Sequence, residues 1–83
     1  MHIILNAFSF LREKLRAKNI AYLDANLEIK EGINVYQLVE FLGLESSEVE
    51  AVFINHMVRP KETILQENDR VALLPQGLLG HTV

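Results

Sequence analysis

The sequence predicts an α+β fold, with one main helix covering one face of a mixed sheet of four to five strands. Three observations predict it. Residues 22–30 alternate apolar and polar side chains, the period of a half-buried strand. Residues 35–42 place apolar side chains at helical spacing. Short apolar runs at residues 3–8, 51–54 and 70–74 are bounded by turn signals.

The elements follow in order along the chain. Ile3, Ile4 and Leu5 open a first strand that ends near Phe8, and Leu11 to Leu15 form a helical turn. In the second strand Leu23, Ala25, Leu27 and Ile29 alternate with Asp24, Asn26, Glu28 and Lys30, until Glu31-Gly32 breaks it. The helix begins at Asn34, whose side chain suits an N-cap, with Gln37 placed to close a capping box and Ile33 and Leu38 placed as a staple. Val35, Leu38, Val39 and Leu42 form its buried stripe over about three turns. Gly43 supplies the left-handed residue that ends it. Ser46 to Glu50 is a polar loop or short turn, and Ala51 to Ile54 is the next strand. Asn55-His56 forms a hairpin tip, Met57 to Arg59 returns, and Pro60 stops the return. Asn68-Asp69 is a turn before the last strand, Arg70 to Leu74. The expected core is Leu23, Leu27, Ile29, Val35, Leu38, Val39, Leu42, Ile54, Val71 and Leu73.

Composition narrows the function. Eighty-three residues hold one domain, taken as residues 1–75, with a tail over residues 76–83. There is no cysteine, so neither a thiolate nucleophile nor a thiolate metal site exists, and a cytoplasmic location is expected. A net charge of −3 argues against nucleic acid as the main partner. No apolar run has the length of a membrane span, and Met1 to Phe10 reads as a strand, not as a secretion signal. The three histidines, His2, His56 and His81, lack metal-site spacing. No nucleophile triad, Gly-rich phosphate loop or carboxylate pair is present, so neither enzymatic activity nor a cofactor is expected.

Two segments carry a resemblance. Val52-Phe53-Ile54-Asn55-His56-Met57-Val58 looks like a "V-x-V-N-G-x-x-V" hairpin, and Glu67-Asn68-Asp69-Arg70-Val71-Ala72-Leu73-Leu74-Pro75 looks like "D-G-D-x-V-x-x-x-P". With the first strand and the Asn34 helix, the ordered set resembles the ThiS/MoaD family of ubiquitin-like β-grasp sulfur carriers over nearly the whole chain. The resemblance implies a ubiquitin-like β-grasp fold and a role in sulfur transfer for molybdopterin, tungsten-cofactor or thiamin biosynthesis. It implies an adenylating enzyme or a synthase large subunit as partner.

In that family the chemistry belongs to a terminal Gly-Gly, whose carboxylate is adenylated and then converted to a thiocarboxylate. Here the chain runs Pro75-Gln76-Gly77-Leu78-Leu79-Gly80-His81-Thr82-Val83. Gly80 stands where the last glycine would be, Leu79 takes the penultimate place, and three residues follow. The tail candidates are therefore Gly80, Leu79 and Gly77, with carrier chemistry requiring processing to Gly80. Leu74, Pro75 and Leu78 are the candidate docking residues. The alternative is a non-conjugating interaction module that binds a protein partner through its sheet or apolar tail, or a homo-oligomer formed through the tail. The basic run Arg12, Lys14, Arg16 and Lys18 reads as a solvated face ahead of a docking patch, and Glu45, Glu48 and Glu50 read as surface.

Overall fold

The computed structural model describes residues 1–77. Strand β1 (His2–Ala7) leads into helix α1 (Phe10–Ala17) and then β2 (Ala25–Glu28). Helix α2 (Val35–Phe41), a 3-10 turn (Ser46–Glu48), β3 (Val49–Ile54), β4 (Met57–Val58) and β5 (Arg70–Pro75) complete the order. The five strands form one sheet in the order β2-β1-β5-β3-β4. β1 and β5 lie side by side in parallel, with Leu5 opposite Val71, while the remaining pairs are antiparallel. The chain is a mixed-sheet α+β domain of the ubiquitin-like β-grasp type.

One face of the sheet is the core. Ile3, Leu5 and Ala7 of β1, Val52 and Ile54 of β3, and Val71 and Leu73 of β5 alternate inward, as the pleat requires. They join Leu11 and Leu15 of α1 and Val35, Leu38 and Val39 of α2 in one buried cluster. The sequence predicts one main helix, whereas two helices cover this face. α1 has eight residues and buries two leucines, so the basic run is the solvent side of a second core helix.

α2 is set by its start. The Asn34 side chain accepts from the Gln37 N–H, and the Gln37 side chain accepts from the Asn34 N–H, each at 2.9 Å. It has seven residues, about two turns instead of the expected three, because Leu42 already caps it and Gly43 turns left-handed at φ 76°. Lys18 reaches across from the end of α1 and donates to the Leu42 and Gly43 carbonyls, which the helix end leaves unpaired.

Leu23 is a correction to the expected core: it is 65% exposed. The strand starts two residues later because Asp24, at φ 46°, is turned out of the alternation by Asn6, with which it exchanges two hydrogen bonds. Leu27, on the edge strand, is only half-buried, and the remaining eight expected core residues are buried. Asn55 and His56 both have positive φ, 53° and 73°, giving the two-residue hairpin turn expected there. Among the described residues no helix is long and apolar enough to cross a membrane.

Candidate functional site

Among the described residues, no helix lies on the opposite face of the sheet. The pleat puts Asn6 of β1, Phe53 of β3, and Arg70, Ala72 and Leu74 of β5 on that side, out of phase with the core residues. With Phe8 and His56 they line an open groove of about 610 Å³. Phe8, Phe53, Ala72 and Leu74 are each half-buried, so a largely apolar strip remains in contact with water. Val58, opposite Phe53 in the ladder and 65% exposed, extends the strip toward the edge.

One end of the groove is polar and fixed. Arg70 donates to the Asp24 carboxylate at 2.8 Å, and Asp24 is held in turn by Asn6. The hydrogen bond from Asn6, followed by that from Arg70, lowers the Asp24 carboxyl below its ordinary value. The Asn55 side chain accepts from the Arg70 N–H and donates to the buried Asp69, which also accepts from the Gln66 N–H. The turn residues Asn55 and Asp69 thus lock the hairpin tip and the start of β5 together. At the other end the Arg12 guanidinium lies over the rings of Phe8 and Tyr22, 5.3 and 5.6 Å from their centroids, and its Nε donates to the Ala7 carbonyl.

The chain leaves the sheet beside this groove. Pro75, the last residue of β5, is buried, so of the docking pair Leu74-Pro75 it is Leu74 that offers surface. The Gln76 N–H donates to the Glu48 carbonyl and the Gly77 N–H donates to the Glu50 carboxylate, both at 2.9 Å. Gly77 has φ 87°, a conformation natural to glycine at the point where the tail departs. Leu78, Leu79 and Gly80, the other candidate tail and docking residues, lie outside the described residues.

The charged residues singled out in the sequence have internal roles. Lys14 pairs with Glu48, and Arg16 donates to Glu13 and to the Tyr22 hydroxyl. The hydrogen bond from Lys14, aided by the Glu45 N–H, holds the Glu48 carboxyl below its ordinary value of 4.5. Glu48 therefore ties α1 to the turn from which the tail is anchored.

Sequence reasoning missed the groove. The sequence reading places Phe8 at the end of a strand, and Phe53 and Arg70 in strands and in the two resembling segments, without bringing the three together. A signal existed: Val52-Phe53-Ile54 and Val71-Ala72-Leu73-Leu74 are apolar on both faces, which in a sheet covered on one side leaves an apolar outer strip. The Asp24–Arg70 pair spans 46 residues and has no local signature.

The ThiS family model matches residues 8–76, which include both helices, every groove residue named above except Asn6, and the first tail residue. No curated protein matches the chain.

Proposed function

The chain belongs to the ThiS family of small ubiquitin-like, sulfur-carrier-type proteins, and from that premise we propose that it carries sulfur on its C-terminal tail. Gly80 is the carrying residue, exposed as a carboxylate by hydrolysis of the bond to His81. The adenylating partner joins that carboxylate to AMP from ATP with release of pyrophosphate, and a sulfide equivalent displaces AMP to leave the thiocarboxylate. The product serves molybdopterin, tungsten-cofactor or thiamin assembly, with a synthase large subunit as the acceptor in the first two cases.

One observation supports this reading above others: the tail leaves an anchored turn close to a groove that, among the described residues, is open and largely apolar. A partner seated on Phe53, Ala72 and Leu74 receives the tail in a fixed position. The globular part then acts as a handle and Gly77 to Gly80 as the delivered arm. Apolar strips rimmed by polar groups mark protein contact surfaces.

The intact mass of protein purified from its native cell tests the proposal. A chain ending at Gly80, with the oxygen-to-sulfur mass increase, is the expected species. Only the full-length mass, together with no thiocarboxylate on a chain supplied already ending at Gly80, overturns it. A second reading, the non-conjugating interaction module, draws on Leu79: a leucine in the penultimate place crowds a channel suited to paired glycines. It predicts partner binding that survives replacement of Gly80.

A further inference from the structure

We propose that Glu50 is a positioning residue: a bulge in β3 aims its carboxylate at the Gly77 N–H and so fixes the point from which the tail continues. Its part in sulfur transfer rests on the carrier reading above, whereas the clasp itself belongs to the folded domain alone.

The bulge is visible in the ladder. Val49 lies opposite Pro75 and Ala51 opposite Leu74, so β3 uses two residues where β5 advances by one, and Glu50 is the extra residue. Burial shows the same break in phase. Val49 and Val52 are both buried, although an unbroken pleat puts residues three apart on opposite faces. The two residues between them, exposed Glu50 and half-buried Ala51, share the helix-free side. An unbroken pleat counted back from Val52 would turn Glu50 into the core and Val49 out to water.

The bulge lies where the ladder ends. The Gln76 N–H donates to the Glu48 carbonyl, and before Glu48 the chain winds into the 3-10 turn instead of continuing the strand. The next donor, the Gly77 N–H, therefore has no strand carbonyl opposite it. The Glu50 carboxylate takes that place at 2.9 Å, from 27 residues earlier in the chain. Among the described residues Glu50 has no ion-pair partner and accepts from no other donor. A hydrogen bond to an ionised acceptor is stronger than one between neutral groups.

Gly77 completes the clasp. Its φ of 87° lies in the left-handed region, and a Cβ placed on it would meet nothing within 4 Å. The glycine thus serves the backbone conformation and not clearance. The segment that carries both acceptors is itself held: Glu48 pairs with Lys14 of α1 and accepts from the Glu45 N–H. Leu74, which lines the groove, pairs with Ala51 next to the bulge, so clasp and groove lie on one face of the sheet. A partner on the groove meets Gly77 at a set position, and Gly80 is three residues along the sequence from it. A reacting group held near its target reacts faster than one that must search for it.

Two measurements test the proposal. In the full chain, Glu50→Ala should move the Gly77 amide shift and speed its hydrogen exchange about tenfold, the order expected for one hydrogen bond to a charged acceptor. Glu50→Gln keeps an acceptor oxygen at the same reach and should largely restore both. Gly77→Ala should lose the same bond through the backbone. Amides of Leu5, Val52 and Val71 in the middle of the sheet should stay unchanged in all three. In ATP–pyrophosphate exchange by a chain ending at Gly80 with a cognate adenylating enzyme, Glu50→Ala should lower kcat severalfold and leave KM for the carrier unchanged. Glu50→Gln should restore kcat. Three results would each overturn the proposal: a Gly77 amide indifferent to Glu50→Ala, equal losses for Ala and Gln, or a released amide with kcat unchanged. No exchange by the unsubstituted chain ending at Gly80 would instead overturn the carrier reading, and with it Glu50's part in that reaction, while the Gly77 amide still reports the clasp.

Discussion

Ser9 shows what a single residue can cost. It sits at φ 56°, ψ −134°, between Phe8 on the groove and Leu11 in the core, and its side chain makes no cap hydrogen bond to α1. A side-chain-bearing residue held in such backbone space costs on the order of 1–3 kcal/mol. Glycine has no such penalty but loses more chain entropy on folding, so Ser9→Gly is expected to stabilise the domain by about 1 kcal/mol. Chemical denaturation measures this, and a lower midpoint would show that the serine is not strained. Glu48 gives a second expectation. Its carboxyl is depressed in the folded state below 4.5, so its contribution is fully present above about that pH and is lost as pH falls through the folded value. Glu48→Gln should therefore destabilise the protein near pH 7 and make little difference near pH 2. Thermal melts of both proteins across that range decide it; an equal deficit at both ends would assign the loss to packing.

At the scale of elements, legibility followed local chemistry. α2 could be read because its cap, box, stripe and terminating glycine all lie within residues 34–43. α1 was under-read because Ser9 offers no cap bond and because four basic residues obscured the Leu11/Leu15 stripe. What makes α1 a core helix is remote: Lys14 bonds Glu48 and Lys18 caps α2, across 34 and 25 residues. Leu23 defies the pattern since period two continues through it, while the bond that delays the strand's start comes from Asn6, 18 residues before Asp24. Leu38 is fully buried under α2, and Leu38→Ala is expected to cost about 2–5 kcal/mol through lost transfer energy and a residual cavity. A loss under about 1 kcal/mol in urea unfolding would contradict that packing. Gly43→Ala should also destabilise, by about 1 kcal/mol or more, because the new methyl would meet a positive φ and the Lys18 side chain at once. A chain unaffected by that change would mean that Lys18 does not cap the helix.

At the scale of the whole molecule, the groove is the surface that the sequence hid. The tail's sequence was legible and its departures from paired glycine were plain, but the groove beside it comes from residues on three strands, the residue that follows β1 and one hairpin tip. A chain that continues past Gly80 is expected to resist adenylation there, because the Gly80 carboxyl is then tied up in the peptide bond to His81. Pyrophosphate exchange with a cognate adenylating enzyme should appear for a chain ending at Gly80 and strengthen when Leu79→Gly is added to it. Robust exchange by unprocessed protein would reject processing as a requirement. Phe53→Glu should weaken partner binding at least tenfold with the fold intact, as burying a charge in an apolar contact is costly. Binding unchanged by that substitution would move the docking surface elsewhere.

The parallel pairing of β1 and β5 carries a mechanical consequence. A pull on the tail acts on Pro75, while the rest of the chain is anchored through β1, which begins at the opposite end of the same ladder. Tension between Met1 and Gly77 therefore runs along the strands and loads the bonds linking Ile4–Ala7 to Arg70–Leu73 in shear, all together, instead of peeling them one at a time. β3 grips β5 from its other side. Stretched between its first residue and its tail in a force-spectroscopy experiment, the domain should yield at a higher force than when pulled across β4, whose two residues unzip in sequence. A pull on the chain beyond Gly77 should thus act along the direction in which the sheet resists most.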